Sequence, residues 1–149
     1  MTIPPNAVAR TVSIDAAPQV VWDTVLDVAG WPRWATYMKS LRREGSGPYG
    51  LGTRVRVTPK GMPGSVWTVT EYDPPRSHVW TTKLGPGLGL IGGHSVRARE
   101  GGSDVTFFLA TNGPLGALLS PLLSILFKRN TRLATEGLRR HCEKPVAVP

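Results

Sequence analysis

Few residues of this chain can move a proton near neutral pH. The three histidines are His78, His94 and His141, and imidazole is the side chain whose unperturbed titration falls in that range. His94 begins a strand-like run and shares its face with Val96 and Ala98, which turns it inward. There it would polarise a carbonyl or act as a general base. The competing reading is a hydrogen-bonded histidine at a strand start. Tyr37 is the second candidate for a catalytic role, and Thr68 and Asn112 complete the polar groups expected to face inward. His78 sits directly after the Pro74-Pro75 turn and reads as exposed. The histidines lack ligand-like spacing and Cys142 is the single cysteine, so no metal and no cofactor is expected. No serine or cysteine nucleophile is arranged with a base and an acid.

Three other constellations have plainer readings. Asp23 and Asp27 are four apart on a short helix whose apolar face is already set, so solvent or helix-end pairing accounts for them. Arg54 and Arg56 alternate with Val55 and Val57. Burying two arginines is costly, so the valines face in. Gly87-Leu-Gly89-Leu-Ile-Gly92 fits G-x-G-x-x-G, but a strand follows it where a dinucleotide site needs a helix N-terminus. It is read instead as a mobile glycine-rich loop over Gly85–Gly93, a lid at the rim of a hollow.

The elements that must position these groups are legible in order. Val8 to Ile14 alternates as a strand. Val21, Trp22, Val25 and Leu26 share one helical face. Gly30 is read as ending that helix, and Pro32 as opening a second within Trp31-Pro-Arg-Trp34. Strand signals follow at Leu41–Glu44, Thr53–Thr58, Ser65–Tyr72, His78–Leu84, His94–Glu100 and Asp104–Thr111. The last two flank Gly101-Gly102, a hairpin signal. From Gly113 to about Glu143 the period is helical, and Ser120-Pro121 predicts a fresh start or a kink. Strand, two short helices, six strands and a long helix make an α+β antiparallel sheet with one helix packed across it.

The chain has 149 residues and a formal net charge of +8. That length predicts one domain over 1–149, with loose tails at 1–6 and 144–149. The basic residues are scattered on outer faces, so nucleic acid is not expected as a partner. The N-terminus shows no signal peptide pattern, and the lone cysteine fits a cytoplasmic location. Residues 114–127 are apolar but too short for a transmembrane span.

Taken together, several stretches resemble the START-like (SRPBCC) helix-grip superfamily, which includes polyketide cyclase/dehydrase-type proteins and Bet v 1-like lipid carriers. They are Val21-Trp22-Asp23 with Asp27, Trp31-Pro-Arg-Trp34, Gly50-Leu-Gly-Thr-Arg54 and Trp67-Thr-Val-Thr-Glu71-Tyr-Asp-Pro-Pro75. His94-Ser-Val96, Gly102-Ser-Asp-Val-Thr106 and the proline-bearing last helix complete the set. The resemblance covers about residues 8–143. It implies a curved sheet gripping the C-terminal helix around a deep apolar cavity, and it does not imply one chemistry.

Against that frame, Trp34, Tyr37 and Met38 are expected on the cavity wall, with Trp67 and Trp80 from the strands. His94, Val96, Phe107 and Leu109 join them. Only one of Phe107 and Phe108 can look inward, and Phe107 shares its face with Val105 and Leu109. Leu115, Leu119, Leu122, Leu123 and Leu126 are expected to face the cavity from the last helix. The expected function is binding of a small hydrophobic molecule, whether lipid, polyketide or aromatic metabolite. One alternative is a polyketide cyclase/dehydratase-type enzyme on the same cavity, working through Tyr37 or His94. The other is a membrane-surface or interaction protein using the apolar and basic last helix. Monomer and homodimer stay open.

Overall fold

Alternation of apolar and polar residues sets most of this fold. The structure is a computed structural model and describes residues 1–144. Strand β1 (Val8–Ile14) leads into helix α1 (Pro18–Leu26) and a 3₁₀ helix (Val28–Arg33). Then come β2 (Met38–Glu44), β3 (Arg54–Pro59), β4 (Ser65–Asp73), β5 (Ser77–Gly85), β6 (Leu88–Arg99) and β7 (Gly102–Asn112), and helix α2 (Pro114–Cys142) closes the chain. The sheet is antiparallel throughout, in the order β1-β7-β6-β5-β4-β3-β2. It curls as a half-barrel around α2, which packs chiefly on β7 and β1. This is the α+β helix-grip architecture, with the core between the concave face, α1, the 3₁₀ helix and α2.

Three sequence expectations are corrected. The first short helix ends at Leu26 rather than at Gly30, because Asp27 caps it with its N–H on the Asp23 carbonyl. Gly30 and Pro32 both lie inside the 3₁₀ helix, whose tighter i→i+3 bonds suit a short connector. The supposed glycine-rich lid is mostly strand: β6 starts at Leu88 and pairs with both neighbours through Gly89, Gly92 and Gly93. Those glycines make room. A Cβ on Gly92 would crowd the Trp80 indole, and one on Gly93 would run into the Phe108 ring. Helix α2 begins at Pro114, after Gly113 at φ +84°, and continues through Pro121. In the N-terminal segment the Asn6 side-chain amide donates to the Thr111 carbonyl and hydroxyl. Of the supposed C-terminal tail, 145–149 lie outside the described residues. No helix among the described residues is long and apolar enough to cross a membrane.

Candidate functional site

Register builds the site in rows. Pairing of β5, β6 and β7 places His78, His94 and Phe107 side by side, and Trp80, Gly92 and Leu109 in the next row. Because strand side chains alternate, both rows face the concave side together. Trp31 from the 3₁₀ helix stands over them. Its ring lies 5.1 Å from His94, 5.5 Å from Trp80 and 6.1 Å from Phe107. Its indole N–H donates to the Val25 carbonyl, so the buried polar edge of this large side chain is satisfied.

Beside this aromatic wall is a cavity of ≈ 130 Å³. The strands contribute Met38, Val57, Trp67 and Leu90, and α2 contributes Leu126, Phe127, Asn130 and Thr131. Met62 and Leu84, each about half exposed, also line it and mark its mouth. None of its lining residues carries a formal charge. The polar groups on its wall are few. Among them are the Tyr37 hydroxyl, the Thr131 hydroxyl (which donates to the Phe127 carbonyl), the Asn130 amide, and His94. The Asn130 amide oxygen is buried with no hydrogen-bond partner.

His94 does not stand alone. Its Nδ1 lies 3.0 Å from Nδ1 of His78, and the two rings stack at 5.0 Å. The far nitrogen of His78, Nε2, lies 2.7 Å from the Tyr49 hydroxyl. Tyr49 sits in the β2–β3 connection, packed against Tyr72 and under the Arg43 guanidinium. Burial holds the His78 imidazole down to about 4, and burial followed by the nearness of His78 pushes His94 well below the ordinary range. Both rings are therefore neutral at pH 7. Burial raises both the Tyr37 and Tyr49 phenols, so these stay protonated.

The sequence candidates divide on inspection. Tyr37, Met38, Trp67, Trp80, His94, Phe107, Leu109 and Leu126 come together on the cavity wall. Trp34 and Val96 are buried in the core beyond that wall. Leu119 and Leu123 are half-buried on α2 and off the wall, whereas Leu115 is exposed and Leu122 is 67% exposed. An all-round apolar helix has only one stripe to give to a sheet, and Leu115 and Leu122 lie outside it. Thr68 alternates with the inward Trp67 and Val69 and so turns away, and Asn112 is exposed at the end of β7. His78, expected in solvent, is 0% exposed. It is two residues before Trp80 on the same strand, so alternation with a buried tryptophan was the signal that its place after a turn masked. The sequence marks Trp31 only through the Trp31-Pro-Arg-Trp34 motif, yet it lines the wall, and no sequence signal points to Tyr49 or Asn130.

Comparisons with known proteins agree with this geometry. Residues 6–143 match the sequence profile described as polyketide cyclase / dehydrase and lipid transport. Over 120 residues the chain is 32% identical to Toxin Rv0910 of Mycobacterium tuberculosis, covering 75% of this chain and 78% of that protein. The crystal structure of the di-domain ARO/CYC BexL superposes with a TM-score of 0.73 at 18% identity, covering 94% of this chain. The chain spans 50% of that two-domain protein. Ara h 8.0201 superposes with a TM-score of 0.59 at 16% identity over 89% of this chain and 96% of that one. These two structural likenesses show a shared fold.

Proposed function

The chain belongs to the polyketide cyclase / dehydrase and lipid transport family, and from that premise we propose that it binds a small, uncharged, largely apolar molecule in the cavity under α2. The carrying observation is a cavity lined without any charged residue, into which one buried imidazole faces. An ionised ligand buried there would lack a counter-charge, which disfavours it by several kcal/mol. The volume of ≈ 130 Å³ is close to that of engineered cavities of about 150 Å³ that hold benzene. The enclosed part of the ligand is therefore one ring or a short alkyl run, and a longer molecule extends through the mouth past Met62 and Leu84. Lipid, polyketide and aromatic metabolites all supply such a part. Native mass spectrometry of the protein purified from its own cells tests the reading. A discrete retained mass supports it. An empty protein that also takes up neither ethylbenzene nor a short-chain lipid counts decisively against it.

The second reading is a cyclase/dehydratase-type enzyme on the same cavity. The observation in its favour is that His94 is hydrogen-bonded into a chain of exchangeable protons rather than capped by a carbonyl. Holding a reactive chain near attack geometry beside such a group would be its chemistry. Conversion of a retained polyketide-like ligand that stops in His94→Leu would select this reading over simple carriage. The toxin name of the relative adds a growth assay. Arrest on induced expression that is lost in a cavity-filling Leu109→Trp variant would tie toxicity to the ligand.

A further inference from the structure

Tyr49 and His78 lie outside the cavity wall, yet both are chained to an imidazole on it. Two proton arrangements satisfy the 2.7 Å and 3.0 Å contacts, because a neutral imidazole has one N–H and one lone pair. In the first, the Tyr49 hydroxyl donates to His78 Nε2, His78 Nδ1–H donates to His94 Nδ1, and His94 carries its proton on Nε2. In the second every bond reverses. His94 Nδ1–H donates to His78, His78 Nε2–H donates to the Tyr49 oxygen, and His94 Nε2 is left as a lone pair.

The two arrangements are not equal. The reversed one strands the Tyr49 hydroxyl hydrogen, which has no other acceptor among the described residues. Tyr49 is half-buried, and a phenol O–H donates to an imidazole nitrogen more readily than a phenol oxygen accepts from an imidazole N–H. The reversed arrangement leaves two polar atoms without a protein partner, the Tyr49 hydrogen and His94 Nε2. The forward arrangement leaves only the N–H on His94 Nε2, and that atom belongs to the side chain that lines the cavity. Buried polar groups are strongly selected to be paired, so the forward arrangement prevails and the remaining donor is offered to the ligand.

We infer that Tyr49 and His78 are positioning residues that hold His94 as its Nε2–H tautomer, and that the ligand is a neutral compound whose oxygen, such as that of a carbonyl, accepts from it. A carboxylate is disfavoured because no lining residue is charged. A ketone or ester oxygen needs only the His94 donor, whereas an alcohol would also give its hydrogen to an acceptor such as the unpartnered Asn130 amide oxygen. This inference rests on the cavity-binding reading and narrows it to a chemical class.

The test pairs acetophenone with ethylbenzene, which match in shape and differ in the carbonyl oxygen. The quantity read is the ratio of their affinities, so that changes in packing cancel. His94→Leu is expected to lower acetophenone affinity relative to ethylbenzene by about three- to ten-fold, the range of one neutral hydrogen bond. Tyr49→Phe is expected to shift the ratio the same way by a smaller factor while ethylbenzene affinity holds. The conservative His94→Gln, which retains a side-chain N–H, is expected to restore part of the ratio. Nitrogen-15 NMR of histidine-labelled wild type reads the tautomers directly. The expected pattern has His94 protonated on Nε2 and His78 on Nδ1, and the opposite pattern overturns the inference. Both probes binding with a ratio indifferent to His94→Leu and Tyr49→Phe also overturns it, while the cavity reading stands. Binding of neither probe overturns both. Should His94→Leu fail to fold, the wild-type spectrum and Tyr49→Phe decide alone.

Discussion

Helix α2 has two halves that contradict a simple count of apolar residues. Its first half, through Leu126, is rich in leucine, yet Leu118 and Ile125 are 75% and 69% exposed. Its second half is studded with arginines, yet Thr131, Ala134, Thr135, Gly137 and Leu138 are buried, where α2 meets the sheet, α1 and the Trp34 backbone. Close approach explains the difference. Thr131 and Thr135 each return their hydroxyl to the carbonyl four residues back, which satisfies a buried polar atom without a partner on the sheet. Gly137 lies so near the Trp34 carbonyl that a Cβ would overlap it. Small and self-satisfied side chains let the second half descend onto the core. The first half approaches the sheet at Gly116, whose carbonyl accepts from the Thr111 hydroxyl, and the cavity opens farther along the helix at Leu126, Phe127 and Asn130.

The largest expected effect comes from cutting into the buried half. Leu138 is fully buried in the core cluster. Leu138→Ala should cost about 2–5 kcal/mol, the range for a large-to-small change where the site collapses only in part. Urea unfolding measures it. A loss below about 1 kcal/mol would mean that this half of α2 is as loosely seated as the first.

The next effect is a pH dependence at the end of the cavity lined by histidine. His78 is fully buried and its imidazole is held down to about 4. In the unfolded chain it takes up a proton near 6.5, so between those values the unfolded state binds more protons than the folded one. Stability is then complete above about pH 6.5 and falls as pH drops toward 4, by about 1.4 kcal/mol per pH unit and about 3 kcal/mol across the window. His94 adds to the loss in the same direction. Thermal melts at pH 7, 5.5 and 4.5 follow it, and His78→Asn should flatten the slope. A wild-type curve that is already flat there would show the pair to be hydrated.

Gly137→Ala comes third. The overlapping atom is a backbone oxygen of Trp34, not the end of a flexible side chain, so the helix itself must retreat. Overpacking of this kind costs about 1–3 kcal/mol. The retreat also lifts α2, which carries the wall residues Leu126, Phe127 and Asn130, from Trp34, so ethylbenzene affinity should change along with the melting temperature. A stable variant with unaltered binding would break the argument that close approach seats this half.

How far the sequence reveals these features depends on which physical signal each one leaves. Strand periodicity placed Val55, Val57, Trp67, Trp80 and Phe107 on one concave surface, because alternation has no freedom once one face is buried. The order of elements was legible for the same reason. Glycine was harder to read, since a run such as Gly89 to Gly93 looks identical whether it loosens a loop or admits neighbouring rings. Gly92 and Gly93 serve the latter purpose, and the rings they admit, those of Trp80 and Phe108, come from other strands. His78 was misread because the turn before it suggested solvent, whereas its neighbour in space, His94, is 16 positions away. Tyr49 left no periodic signal, since it sits in an irregular connection and its role arises only from that pair. Along α2, composition could not say which leucines turn outward.

The smallest expected effect tests the exposed half directly. Leu118, Leu122 and Ile125 recur three and four residues apart and project from one side of α2, all more than half exposed. None of them lines the cavity, and none belongs to the core cluster. Replacing all three with glutamine removes little buried apolar area and keeps good helix formers in place, so each change should alter stability by no more than about 0.5 kcal/mol. The ratio of acetophenone to ethylbenzene affinity should not move at all, because the wall residues Leu126, Phe127 and Asn130 are untouched. Urea unfolding at two protein concentrations makes the comparison sharp. A triple variant much less stable than wild type, with a loss that grows with protein concentration, would mean that a second copy of the chain covers this stripe. The two halves of α2 would then differ only in which surface buries them.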